Sequence, residues 1–256
     1  MSRLEKLFLK KNKGILNIYF TAGFPELNTV MPIMEALQSG GADIIELGMP
    51  YSDPLADGPV IQQSSQVALA NGMDLDNLFL QITNMRKAIS IPVILMGYMN
   101  PVLQYGFEPF CAKAAASGVD GLILPDLPAH EFETIYAPVI KKYGLDMIFL
   151  VSPETSNERV MKLDALSSGF LYAVSSSSIT GSSAIYSGFD AYIDRLLSLS
   201  LKNPVLVGFG ISDKSGFQKA TAKTNGGIIG SAFIKALSTG KDVKAATKAF
   251  VSSILQ

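Results

Sequence analysis

"QSGGADIIELG" occupies residues 38–48, and the order of its parts decides the fold. A helical pattern, "NTVMPIMEALQSGG", leads into it with Asn28 and Thr29 as candidate caps and stops on Gly40 and Gly41. A glycine just past a helix takes the left-handed backbone that ends it. An apolar run follows at once, and it is continuous rather than alternating, as a strand covered on both faces requires. The same helix–glycine–strand junction returns in "ASGVDGLI" (116–123), "KYGLDMIF" (142–149) and "SSGFLYAV" (167–174).

Eight short apolar runs are spaced along the chain, at 15–23, 42–48, 91–98, 119–126, 145–152, 169–175, 203–210 and 226–232, with helical patterns between them. Eight strand–helix units predict a single-domain α/β fold over residues 1–256, a (β/α)₈ TIM barrel. The amphipathic, lysine-rich start "MSRLEKLFLKKNKG" supplies an extra N-terminal helix, expected to plug the barrel floor. An open doubly wound sheet is the alternative, because alternation alone does not prove closure.

Composition narrows the function classes. The 256 residues are 48% hydrophobic and 17% charged, with a formal net charge of −1 and no long Lys/Arg cluster, so no nucleic-acid partner is expected. The single cysteine, Cys111, reads as a buried helix position; alone, it rules out an intrachain disulfide and a multi-cysteine metal site. No apolar run approaches the roughly 18 residues of a membrane span, and the N-terminus lacks an apolar signal core, so a cytoplasmic location is expected.

Barrel chemistry sits at the C-terminal ends of the strands and on the loops beyond them. Glu46 lies near the end of the second apolar run; Asp53 and Asp57 follow on a Gly- and Pro-rich loop. A carboxylate in an apolar strand needs a donor or a raised pKa, and both suit acid–base chemistry. Asp57 in "ADGP" also has a plain reading as a turn or cap. "GFGIS" (208–212) and "GSAFIK" (230–235) end the last two runs. Their glycines and the helix N-termini beyond them suggest an anion site. "SSSSITGSSAIYSG" (175–188) reads as a polar loop or a lid, with Thr180 and Gly181 able to reach the mouth and Tyr172 lining the pocket. Asp126 in "LPDLP" reads as a turn residue. The sole histidine, His130, sits at a predicted helix start and is expected to be exposed and idle, which leaves the chemistry to carboxylates.

The run "LGMPYSDPLADGPVIQ" (47–62), preceded by Glu46 and followed in order by "ITG", "GFGIS" and "GSAFIK", resembles the tryptophan synthase α subunit family along essentially the whole chain. That resemblance implies retro-aldol cleavage of indole-3-glycerol phosphate to indole and glyceraldehyde 3-phosphate. It implies Glu46 and Asp57 as catalytic residues, Tyr172 beside the indole, and Thr180 and Gly181 in the lid. Gly181, Gly210, Gly230 and Ser231 would hold the substrate phosphate. It implies no metal and no cofactor in this chain. The partner would be a β subunit carrying pyridoxal phosphate, in a heterotetramer of two α and two β subunits, with indole passed on for condensation with serine. The chain departs from many members at Phe24 and in its serine-rich segment 175–178. A different phosphate-binding barrel, such as a sugar-phosphate isomerase, would explain the glycines but not the Glu46/Asp57 pair. An inactive, partner-activating subunit would not need that pair.

Docking on a β subunit is expected at the mouth loops 51–57 and 100–105. Met99, Pro101, Val102, Leu103 and Tyr105 in "GYMNPVLQYG" (97–106) read either as the start of a folded-in helix or as an apolar docking patch, the patch being preferred.

Overall fold

The computed structural model describes residues 1–174, 188–208, 210–240 and 242–256. Among the described residues, nine parallel strands form one sheet: β1 (Ile15–Thr21), β2 (Ile44–Gly48), β3 (Val93–Met96), β4 (Gly121–Ile123), β5 (Asp146–Ile148), β6 (Leu150–Val151), β7 (Leu171–Val174), β8 (Val205–Gly208) and β9 (Gly226–Ile229). Their order is β5-β4-β3-β2-β1-β9-β8-β7-β6. The two ends of that order, β5 and β6, are separated in the chain only by Phe149. The lower half of this segment pairs with β4 and the upper half with β7. The ring is therefore closed, a (β/α)₈ barrel whose fifth stave is split. Strand stagger in a barrel has this effect on a short stave, which meets different neighbours at its two ends. Closure excludes the open doubly wound sheet.

Two cores result from the alternation of side chains along each strand. Leu16, Ile18, Phe20, Ile45 and Leu47 face outward into the large core beneath the helices. Ile15, Ile44, Ile94, Ile123, Ile148, Leu206 and Ile228 fill the lower barrel interior. Helix α1 (Arg3–Lys10) closes the floor. Ser2 and Glu5 form its capping box, and fully buried Leu4 joins the interior cluster, with Leu7 and Phe8 packed beside it. Arg3 ties this helix to the barrel by pairing with Asp120, which also pairs with Arg86.

The four glycines at the helix–strand junctions, Gly41, Gly118, Gly144 and Gly169, all have positive φ. Several local expectations are corrected. Neither Asn28 nor Thr29 caps a helix with its side chain; Leu27–Thr29 forms a 3₁₀ turn, and Thr29 Oγ1 donates back to the Phe24 and Glu26 carbonyls. The pattern "AHEFETIYAPVIKKYG" is not one regular helix. It passes through a π turn at Phe132–Tyr136 before the helix Ala137–Lys142, because Pro138 lacks the N–H that would continue the α ladder. Residues Met99–Tyr105 form a short helix with Met99 and Val102 buried. The preferred patch reading is thus largely overturned, and Leu103, 48% exposed, remains its open apolar side chain.

Candidate active site

The site begins with three side chains at alternate positions of β1. Asn17, Tyr19 and Thr21 point into the barrel, opposite Ile44, Glu46 and Gly48 of β2 in the parallel register. Asn17, Thr21 and Glu46 are fully buried. Asn17 Nδ2 donates to Glu46 Oε2 at 2.7 Å. Glu46 Oε1 and Asn17 Oδ1 have no hydrogen-bond partner. Burial pushes the Glu46 carboxyl up to about 8; the Asn17 hydrogen bond opposes the rise and the negative charge of Asp57 adds to it. Glu46 is thus a carboxylic acid at neutral pH, with one oxygen held by Asn17 and the other buried without a partner.

Asp57 sits on the loop between β2 and the helix Pro59–Ala70. Gln62, in the first turn of that helix, donates to the Asp57 carbonyl at 2.8 Å. Ser64 in the same helix hydrogen-bonds Thr21 at 2.6 Å, fastening the loop's far end to β1. Burial raises the Asp57 carboxyl to about 6, while a hydrogen bond from the Tyr98 hydroxyl pulls it down. The Tyr98 oxygen also accepts from Ala56 N–H at 3.0 Å. One phenol at the end of β3 therefore fixes both the loop backbone and its carboxylate.

Two more tyrosines lie close to these carboxylates. The ring of Tyr19 lies across Gly48 and close to Gly230: a Cβ at Gly230 would stand 3.2 Å from Tyr19 Cδ1. Tyr172, on β7, lies across Gly208, where a Cβ would collide with the ring. Its hydroxyl is pushed well above the ordinary phenol value by burial and by the charges of Glu46 and Asp57, which places it at the same mouth. Gly208 therefore has a packing reason as well as the anion-binding reason read from sequence.

The predicted anion site divides. Gly230 and Ser231 begin the nine-residue helix Ser231–Thr239, whose N-terminus has no side-chain cap. Among the described residues no side chain caps its first N–H groups, and its positive dipole end suits an anion. The helix after β8 differs: Asp213 caps it, accepting from Gly216 N–H at 2.8 Å. One donor of this N-terminus is thereby taken, and the contribution of Gly210, at φ +44°, would have to come from its backbone. Thr180, Gly181 and the serine-rich stretch lie outside the described residues.

The remaining candidates have structural explanations. Asp126 accepts from Met99 N–H with both oxygens at 3.0 Å, capping the neighbouring helix. Asp53 is exposed beside Ser52. His130 is exposed. Cys111 is fully buried, its thiol pushed up to about 12 by burial. Among the described residues, no cluster of three or more His, Cys, Asp or Glu could hold a metal, and no helix is long and apolar enough to cross a membrane.

This constellation can be set against known proteins. The family described as "Tryptophan synthase alpha chain" matches residues 6–254. The chain belongs to this family. It is 51% identical over 258 residues to the tryptophan synthase alpha chain of Flavobacterium psychrophilum, covering 99% of this chain and 100% of that one. The relative from Flavobacterium johnsoniae is 52% identical over 231 residues, 90% of this chain and 91% of that one. Among solved structures, the alpha subunit from Legionella pneumophila aligns with a TM-score of 0.89 at 36% identity, over 99% of this chain and 97% of that chain. A chain of the tryptophan synthase complex from Pyrococcus furiosus aligns with a TM-score of 0.85 at 33% identity, over 96% and 99% of the two chains. The chain is accordingly a lyase of the tryptophan synthase alpha type.

Sequence reasoning overlooked Asn17, Tyr19 and Tyr98. The signal for the first two was present: in "ILNIYFT" the polar atoms fall on alternate residues, all on the face that carries Glu46 across the register. Tyr98 carried no comparable signal, because its role depends on a loop folding back over it.

Proposed function

We propose that Glu46 and Asp57 together carry out the retro-aldol cleavage of indole-3-glycerol phosphate. The observation that carries this reading is a fully buried acid with one oxygen free that feels the charge of a second carboxylate on the neighbouring loop. Glu46 starts protonated and delivers its proton to indole C3. The resulting positive charge near the ring nitrogen is balanced by the Asp57 carboxylate, which accepts the ring N–H. Glu46, now a carboxylate, removes the proton from the glycerol hydroxyl next to the ring. The oxygen's electron pair forms the aldehyde, the carbon–carbon bond breaks, and its electrons restore the indole. Glu46 ends as it began, protonated, so one group serves as acid and then as base.

The Tyr19 and Tyr172 rings would sandwich the indole, and the helix N-terminus at Gly230 and Ser231 would hold the phosphate together with the Gly210 backbone. Thr180 and Gly181 would complete the mouth. Docking of a β subunit that carries pyridoxal phosphate is proposed at the same mouth, where Leu55 is 93% and Leu103 48% exposed. The protein would act in the cytoplasm, as one barrel domain. The test is direct: indole release from indole-3-glycerol phosphate by the wild type, Glu46→Gln and Asp57→Asn. Indole production by Glu46→Gln at near wild-type rate would overturn the assignment.

A further inference from the structure

The barrel interior holds a polar group that folding alone does not call for. Asn17 is fully buried. Its register neighbours on either side are Ile44 of β2 and Ile228 of β9, so a branched aliphatic residue would fit this layer. The asparagine leaves its own Oδ1 without a partner, and an unsatisfied buried acceptor costs stability. Among the described residues, its one side-chain hydrogen bond goes to Glu46 Oε2 at 2.7 Å. The other carboxyl oxygen, Oε1, is equally buried and unpartnered.

We infer that Asn17 is a positioning residue that selects which oxygen of Glu46 exchanges protons with the substrate. The Nδ2 donor occupies Oε2 and keeps the proton off it. The acidic hydrogen therefore resides on Oε1, the oxygen with no protein partner, and the carboxyl plane is held with that oxygen toward the pocket. After the proton has left, the same donor stabilises the carboxylate until the hydroxyl proton is collected. One amide thus sets both the direction of transfer and the acidity of the group. The other groups acting there are the Asp57 carboxylate, which raises Glu46, and the Tyr19 and Tyr172 phenols, whose own ionisation Glu46 opposes. Among the described residues, none of these donates to Oε2, which Asn17 holds.

This inference rests on Glu46 being the acid–base group, and the experiment separates the two. In wild-type protein labelled at asparagine side-chain nitrogen and glutamate carboxyl carbon, the Asn17 amide signal, assigned by its loss in Asn17→Leu or Asn17→Asp, should titrate with the same midpoint as Glu46. The Glu46 signal is assigned by its loss in Glu46→Gln. In Asn17→Leu, a near-isosteric change, the Glu46 midpoint and the matching limb of the pH–kcat/KM profile should both rise by about one unit, from loss of a charge-assisted hydrogen bond. The value of kcat should fall about tenfold. In Asn17→Asp the two carboxyls should share a proton and titrate in two separated steps, the upper one above the wild-type midpoint. A merely structural role would change melting temperature without moving a midpoint. An Asn17 amide signal indifferent to the Glu46 titration, or an unmoved midpoint in whichever variant folds, overturns the inference. Full activity in Glu46→Gln would instead overturn the proposed function.

Discussion

Replacing Glu46 by Gln should uncouple the stability of this protein from pH in a defined window. The carboxyl has an ordinary value of 4.5, and burial lifts it to about 8 in the folded chain. The sign follows from proton binding. Below 4.5 both states are protonated and the group contributes nothing. Between 4.5 and about 8 the unfolded chain releases a proton that the native protein retains, so stability falls as pH rises. Above 8 the loss is complete. At about 1.4 kcal/mol per pH unit, the full rise of roughly 3.5 corresponds to about 5 kcal/mol, and the part between about pH 5 and pH 8.5 to about 4 kcal/mol. Glutamine has the same shape and no titration. Urea unfolding of wild type and Glu46→Gln near pH 5 and near pH 8.5 should therefore show the variant gaining about 4 kcal/mol relative to wild type at the higher pH. Comparing the two pH values removes any fixed cost of the new amide, and groups common to both proteins cancel. Parallel pH dependences, within roughly 1 kcal/mol, would mean that Glu46 ionises freely in the barrel, and the reasoning for a neutral acid would fail.

The pH profile of kcat/KM should be bell-shaped, with limbs near 6 and 8, because turnover needs Asp57 ionised and Glu46 protonated; a flat profile across that range would contradict the role pair. Asp57→Asn should lower kcat by about 10²-fold or more with a much smaller change in KM, since the charge it balances arises only along the reaction path. Steady-state indole release checks this. Tyr98→Phe should move the acid limb upward, because the lost hydroxyl donor had been lowering the Asp57 value; an unmoved limb would show that the phenol serves packing alone. Leu103→Asp should weaken binding to a β subunit by about tenfold or more in a titration, while leaving indole release by the isolated chain unchanged.

How much of this was legible beforehand depends on the range of the interactions involved. Eight apolar runs, glycine-terminated helices and the Glu46–Asp57 spacing are local properties. Chain connectivity and backbone sterics determine them, so the alternation and the two carboxylates could be read directly. Closure could not. It turns on the stretch Asp146–Ile148, Phe149 and Leu150–Val151 pairing with β4 below and β7 above, a matter of stagger between strands distant in sequence. The short helix Met99–Tyr105 was the less favoured of two readings because its buried and open sides are set by what lies beneath it, and Asp126, 27 residues beyond Met99, caps it. The glycines of β8 and β9 read as anion ligands, yet Gly208 and Gly230 also make room for the Tyr172 and Tyr19 rings, and only packing across the barrel reveals that. The sequence by itself determined which two carboxylates are candidates for the chemistry. The tertiary structure decided their ionisation. Glu46 is an acid near neutrality because strands from the whole ring exclude water from it, and Asp57 stays the stronger acid because a loop brings it under Tyr98. Solvation and long-range contact set these energies, and neither is a property of the residues taken in order.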